Sequence, residues 1–189
     1  MSLILGILAQ SGGAAVADSS YESIQTVTVG SGGSASVSFT SIPATYNHLQ
    51  IRTIARSAKI GTEDFIYLRF NADTGNNYAW HDLEGDGAAV YAGNTSSIAQ
   101  IFTYYITTAN SAANIFGAGV IDILDYKNTN KNKTVRTLGG DDKNGSGYVV
   151  FASGLWQNTN AVSTITLINA SATNFQEYSS FALYGIKGS

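Results

Sequence analysis

The chain has 189 residues, which is enough for one well-buried core and too few for two comfortable ones. Charged residues make up 12% of the chain and the net charge is -3, so the composition argues against a nucleic-acid-binding surface and against attraction to an anionic membrane. The lack of cysteine excludes disulfide bonds and thiol chemistry. So few charges suit a surface that neighbouring subunits cover, because close packing penalises unpaired charge.

The first twenty residues join a short apolar run to a Gly/Ala/Ser-rich segment, MSLILGILAQSGGAAVADSS. A secretory signal would carry positive charge ahead of its apolar core, and no Lys or Arg precedes this run, although Ala15-Val16-Ala17 imitates a cleavage site. A membrane span needs about 20 apolar residues, and this run covers only Leu3 to Ala9. We therefore predict an arm over residues 1–20 that anchors the protein on a partner chain; an uncleaved signal and an arm folded on its own domain are the alternatives. The anchoring side chains would be Leu3, Ile4, Leu5, Ile7 and Leu8.

Eleven stretches with alternating apolar and polar residues follow the arm, and no window keeps helical periodicity for three turns. They are rich in Val, Ile, Thr, Tyr and Phe, which are the residues that pleated, half-buried strands favour. The predicted strands cover residues 23–29, 36–40, 48–57, 64–71, 77–83, 99–107, 116–126, 132–138, 147–156, 162–168 and 178–187.

Clusters of Gly, Asn and Asp separate these strands, and such residues tolerate the positive φ that tight turns require. They include EGDG at 84–87 and GGDDKNGSG at 139–147. Many short strands without helices between them indicate a closed or double-sheet antiparallel architecture. We predict an all-β protein with a single antiparallel β-sandwich over residues 21–189 and an extended N-terminal arm. The number of strands favours a jelly roll.

The sequence contains no catalytic motif of the Gly-x-Ser-x-Gly, Gly-Lys-Ser/Thr or His-Glu-x-x-His type. Its two histidines, His48 and His81, lie on predicted strands and are typical of structural or surface residues. A glycan-degrading enzyme would need two carboxylates from different strands to converge, and nothing in the sequence indicates such a pair. We therefore predict a protein that is not an enzyme and needs no cofactor.

One acidic segment matches the opening of a calcium-binding loop. Its acidic residues Asp82, Glu84 and Asp86 alternate along the chain and precede Gly87. In such a loop, side chains at this spacing converge on the cation. Gly93 occupies the twelfth position, where such a loop needs a bidentate Glu. We interpret the segment as a polar hairpin turn, with a metal site formed by the three carboxylates as the alternative.

Aromatic residues cluster around the turn-rich segments, and flat rings beside Asn and Asp side chains are a common way for β-sandwiches to bind sugars. This makes Tyr78, Trp80 and Tyr91 candidate glycan-binding residues. The alternative is that these rings, together with Tyr104 and Tyr105, pack the core or a subunit interface. We favour packing, because some clustering is expected at 11% aromatic content.

Five segments resemble a family of small virion structural proteins from tailed bacteriophages, and they cover most of residues 21–189. Members of this family are fibre, tail or capsid-associated components, and the resemblance supplies no catalytic motif. It implies closed, often threefold symmetry. The segments are YESIQTVTVGSGGSASVSFTSIPATYNHLQIR at 21–52, RFNADTGNNYAWHDLEGDG at 69–87, GVIDILDYKNTNKNKTVRTLGG at 119–140, SGLWQNTNAVSTITL at 153–167 and YSSFALYGIKGS at 178–189.

The resemblance and the arm together imply a non-enzymatic virion component, either a capsid decoration (cement) protein or a short fibre. We expect it to dock on other virion proteins of the capsid or tail through its arm and to form a homo-oligomer such as a trimer. The alternative is a carbohydrate-binding module for host recognition on a phage tail or fibre, with a host glycan as its partner. We expect no nucleic-acid partner and no membrane span.

Overall fold

The computed structural model describes residues 19–188, which contain twelve β-strands and no helix. Among these residues there is thus no helix long and apolar enough to cross a membrane. The predicted anchors Leu3, Ile4, Leu5, Ile7 and Leu8 lie outside the described residues. The strands are β1 (Tyr21–Thr28), β2 (Ser36–Phe39), β3 (His48–Ala55), β4 (Asp64–Phe70), β5 (Tyr78–Gly85), β6 (Val90–Ile98), β7 (Ile101–Ile106), β8 (Gly117–Leu124), β9 (Lys133–Asp142), β10 (Gly147–Trp156), β11 (Ile165–Asn169) and β12 (Ser180–Ile186).

The strands form two antiparallel sheets, which confirms the predicted β-sandwich. Eight of them are arranged as β1-β12-β3-β8 in one sheet and β2-β11-β4-β7 in the other. Strands β1 to β4 alternate between the two sheets, and the first strand pairs with the last. This order is the double Greek key of a jelly roll. The remaining four strands, β9, β10, β5 and β6, continue the first sheet beyond β8 and make it eight-stranded.

Eleven of the twelve strands overlap predicted ones, and β6 is the strand that sequence reasoning missed. Its sequence, VYAGNTSSI, lacks a clear alternation, but it pairs with β5 along nearly its whole length. Strand β9 also runs four residues further than predicted, through Gly139 and Gly140 to Asp142. In both places, pairing with a neighbouring strand outweighs the turn tendency of Gly, Asn and Asp.

The core lies between the two sheets and is built by side-chain alternation. On β4, Ile66, Leu68 and Phe70 point inward and are fully buried, whereas Phe65 and Tyr67 lie on the opposite face. The largest fully buried apolar side chains are Trp156, Tyr78, Tyr104, Tyr126, Phe39, Phe70, Phe175 and Phe181.

Strand β7, at the edge of the four-stranded sheet, approaches the eight-stranded sheet (the large sheet) closely, because glycines of the large sheet face β7. The ring of buried Tyr104 lies where side chains at Gly119 and Gly139 would be, since a Cβ atom there would come within 2.2 Å and 2.5 Å of ring atoms. Its hydroxyl lies 2.5 Å from Thr53 Oγ1, so the polar tip is satisfied. Ile101 fills the equivalent space over Gly154. Strand β7 therefore covers the inner face of β8, β9 and β10.

We expect Gly139→Ala to lower the free energy of unfolding by about 1–3 kcal/mol, the usual cost of overpacking a core. The added methyl group would meet Tyr104 Cγ at 2.5 Å. Urea unfolding followed by circular dichroism measures the change. The matched control is Gly85→Ala in β5, where the nearest atom, Ala89 O, is 3.8 Å from the added Cβ. Equal destabilisation by both substitutions would contradict the close-approach argument.

Candidate functional site

The structure separates Tyr78 from the other two candidate glycan-binding residues. Tyr78 is fully buried and its ring stacks on Trp156, with centroids 6.2 Å apart. Its hydroxyl donates to the carbonyl of Phe70, and burial raises its pKa to about 12. Tyr78 therefore packs the core, as the favoured interpretation expects, and the alternative that it contacts a glycan is wrong, because a core side chain cannot reach a ligand. Tyr104 is a core residue as well.

Trp80 and Tyr91 come together with Tyr105 in a cavity of about 230 Å³. Strands β5 and β6 supply its floor, and β4 and β7 supply further rings. We call this cavity the aromatic pocket; its lining residues are Phe65, Tyr67, Trp80, Asp82, Glu84, Tyr91, Ala92, Gly93, Phe102 and Tyr105.

The rings on the β4 and β7 side form one connected cluster. The Phe65 ring lies 5.0 Å from that of Tyr67 and 5.3 Å from that of Phe102, both in edge-on geometry. Trp80 joins the cluster from β5, with its ring 5.3 Å from that of Phe102. Such contacts hold the rings in place, since an aromatic pair contributes about 0.5–1.5 kcal/mol beyond its buried area. The Trp80 Nε1–H is buried and has no hydrogen-bond partner within residues 19–188.

Two carboxylates share the pocket with these rings. Asp82 and Glu84 follow Trp80 at alternate positions of β5, so all three side chains lie on the same face. Burial raises the pKa of both carboxyl groups, and the charge of Asp82 raises that of Glu84 further. The Tyr105 hydroxyl lies beside Glu84, and its hydrogen bond partly offsets the rise.

The pocket carboxylates lack a cationic partner. Among residues 19–188, no Lys or Arg forms an ion pair with Asp82 or Glu84. Within these residues, no Lys or Arg neutralises their negative charge inside the aromatic lining.

The calcium-loop alternative does not fit the local geometry. Asp82 and Glu84 belong to a strand, and Asp86 begins the turn between β5 and β6. The Oδ1 atom of Asp86 accepts the backbone N–H groups of Ala88 and Ala89, at 2.8 Å and 2.7 Å, and these bonds lower the pKa of its carboxyl group. In the part of the chain that the structure describes, no three acidic, His or Cys side chains could hold a metal ion. The predicted hairpin turn is confirmed.

A second feature lies on the outer face of the large sheet, where apolar residues of adjacent strands stand opposite one another. One row crosses the strands from β8 to β6. A second row crosses from β3 to β6, and on each shared strand its residue lies two positions away from the residue of the first row. We call the two rows together the apolar band. The first row is Val120, Leu138, Phe151, Leu83 and Ala92, and the second is Ile54, Ala118, Gly140, Val149, Gly85 and Val90.

Large apolar side chains of the band are open to solvent. Leu138 is 56% exposed, Phe151 48% and Val149 66%. With strands about 4.8 Å apart, the band is about 24 Å long and two rows wide, an area on the order of 300 Å². The largest contiguous apolar patch on a typical soluble monomer covers about 300–600 Å² and is often functional.

The band has a sharp polar border. The next row along the same strands is entirely polar, and its members pair across the sheet in the same register. His81 is exposed in this row, whereas the Nδ1 atom of His48 accepts the backbone N–H of Asp125 at 3.0 Å elsewhere in the fold. The polar row is Asp122, Arg136, Ser153, His81 and Asn94.

Comparisons with protein-family models, with curated proteins and with solved structures find no match. The expected virion role therefore stays a prediction, and the geometry of the aromatic pocket and the apolar band carries the functional argument.

We expect Glu84→Gln to raise the thermal unfolding temperature at pH 7. Because the pKa of Glu84 is raised in the folded protein, its contribution to stability is full below the unfolded-state pKa and is lost as the pH rises through the folded-state pKa. Removing the charge should therefore stabilise the protein at pH 7, and the gain should shrink as the pH falls through the acidic range in which Glu84 takes up its proton. Thermal scans at several pH values measure this.

The control for this measurement is Glu177→Gln, which alters an exposed carboxylate outside the pocket. It should leave the unfolding temperature nearly unchanged at each pH. A Glu84→Gln variant that is less stable than the parent at pH 7 would contradict the interpretation of Glu84 as a desolvated, uncompensated charge.

Proposed function

We propose that this protein is a non-enzymatic structural component of a bacteriophage virion, either a capsid decoration protein or a short fibre. The apolar band is the observation that carries this proposal, because a charge-poor protein with an exposed apolar face is suited to assembly with other subunits. The sequence resemblance to small virion proteins of tailed phages supports the same role.

In this proposal the apolar band joins copies of the chain in a homo-oligomer. The band contributes about 300 Å² per copy, and its polar border would form part of the rim of a standard interface, which buries about 800 Å² per partner. Burying a side chain such as Phe151 or Leu138 stabilises the assembly by up to about 1.5–3 kcal/mol. At β3 the first row ends on Arg52, whose guanidinium lies over the rings of Tyr21 and Tyr184 at 5.9 Å and 5.5 Å from their centroids. A cation there would help set the register between copies.

Residues 1–20 would then attach the oligomer to other virion proteins. Their apolar side chains suit burial in a groove of a capsid or tail protein, as an extended arm does when the folded domain projects from the particle. The band and the arm thus have separate tasks, assembly and docking, and each can be disrupted without the other.

The carbohydrate-binding alternative has less support. With Tyr78 in the core, only Trp80 and Tyr91 remain of the three candidate residues. The two uncompensated carboxylates beside them favour a charged ligand over a neutral sugar.

We expect Phe151→Asp to reduce the oligomer to a smaller species, because it would place a charge in the centre of an apolar contact. Size-exclusion chromatography with light scattering gives the mass. The matched control is Ser153→Asp, which adds the same charge on the same strand and face but in the polar border. A Phe151→Asp variant that keeps the parent's mass, or a parent that is already monomeric, would overturn the role of the band.

We expect the double substitution Leu5→Asp, Ile7→Asp to abolish co-sedimentation with phage particles that lack this protein. The circular dichroism spectrum and the oligomer mass should stay those of the parent, because the sandwich and the band are untouched. Full retention on the particles would contradict docking through the arm. Binding of the parent to isolated tails, but not to capsids, would identify it as a fibre component.

A further inference from the structure

The aromatic pocket combines two kinds of group that attract cations. Aromatic ring faces carry negative electrostatic potential, which attracts a cation that lies within about 6 Å of a ring centroid. The pocket brings rings such as Trp80, Tyr91 and Tyr105 to the same cavity as the carboxylates of Asp82 and Glu84. No Lys or Arg of residues 19–188 forms an ion pair with either carboxylate.

We propose that the aromatic pocket binds an organic ammonium group. The cavity, about 230 Å³, is below the usual size of a site for a drug-sized ligand, so it suits a small head group. A substituted ammonium ion is weakly hydrated and sheds water at low cost, which matches a lining of rings. One positive charge would offset part of the negative charge of the two carboxylates, which form no ion pair with a Lys or Arg of residues 19–188.

Other ligand classes fit less well. A bare metal ion would need at least three converging ligands, and residues 19–188 contain no such group. A neutral sugar would stack on the rings, but it would leave two partly buried carboxylates without a counter-charge. An anion would be repelled by both Asp82 and Glu84.

Gly93 leaves the space that the Asp82 carboxylate occupies. It stands opposite Asp82 in the β5–β6 pair, and a Cβ atom at this position would lie 2.5 Å from Asp82 Oδ1 and 3.4 Å from Trp80 Cζ3. Any side chain there would displace the carboxylate. Gly93 thus lets the Asp82 carboxylate lie close to the β6 backbone, beside the Trp80 ring.

The two tryptophans of the chain provide an internal control for a binding experiment. The Trp80 indole lines the pocket, whereas the Trp156 indole N–H donates to Asp73 Oδ2 at 2.8 Å in the core. In a ¹H–¹⁵N spectrum, choline titrated into the full-length protein should shift the Trp80 indole signal and leave that of Trp156 in place. N-acetyl-lysine methylamide, titrated in parallel, distinguishes a methylated head group from a lysine side chain as the source of the ammonium.

Charge and shape are separated by matched probes and variants. The uncharged choline analogue 3,3-dimethylbutan-1-ol should bind at least tenfold more weakly than choline, because it has the same shape without the charge. Asp82→Asn and Glu84→Gln should each weaken choline binding at least tenfold, whereas Glu177→Gln should leave it unchanged. Raising the salt concentration should also weaken binding, because the attraction is partly electrostatic.

Three results would overturn the proposal. Both ammonium probes could leave the Trp80 signal unmoved, the neutral analogue could bind as tightly as choline, or glucose and galactose could bind where choline does not. The last result would favour the carbohydrate-binding alternative. None of these measurements depends on the oligomer or on phage particles, so the virion proposal and the ammonium site can fail independently.

Discussion

The close approach of strand β7 to the large sheet is the constraint on which both candidate sites depend. Tyr104 and Ile101 occupy space that side chains at Gly119, Gly139 and Gly154 would otherwise fill. The four-stranded sheet therefore packs against the added strands β9 and β10 as well as against the jelly-roll strands of the large sheet. Without this contact, the inner face of the extension would lose its cover and its buried residues would meet water.

The same strand builds one wall of the aromatic pocket. Its residues Phe102 and Tyr105 pair with Tyr67 and Phe65 of β4, while Tyr104 fills the space against the large sheet. Strand β5 passes the edge of the small sheet at this point, so Trp80 contacts Phe102 across that edge. Loosening the core at Tyr104 would therefore also disturb the geometry of the pocket.

Both sites combine strands of the eight-stranded jelly roll with the strands that are added to it. The hairpin of β5 and β6 presents the pocket on its inner face and part of the apolar band on its outer face. The two sites differ in physical character. The band acts through burial of apolar area, which is nondirectional and tolerates varied partners, whereas the pocket acts through a few placed charges and rings. Substitutions can therefore separate one from the other.

The sequence by itself determined the class of the fold, because strand alternation is a local property that each segment carries alone. It could not determine which strands of one sheet pack over which strands of the other. Tyr78 and Trp80 share a face of β5, yet only Tyr78 lies beneath the four-stranded sheet. Some sequence signals were ambiguous. The adjacent apolar residues of β10 predict a strand that is buried on both faces. In the structure, however, Val149 and Phe151 of this strand are exposed. Strand β6 has no periodic signal of its own. The apolar band and the aromatic pocket arise from pairing and packing between distant segments, and only the tertiary structure decides those contacts.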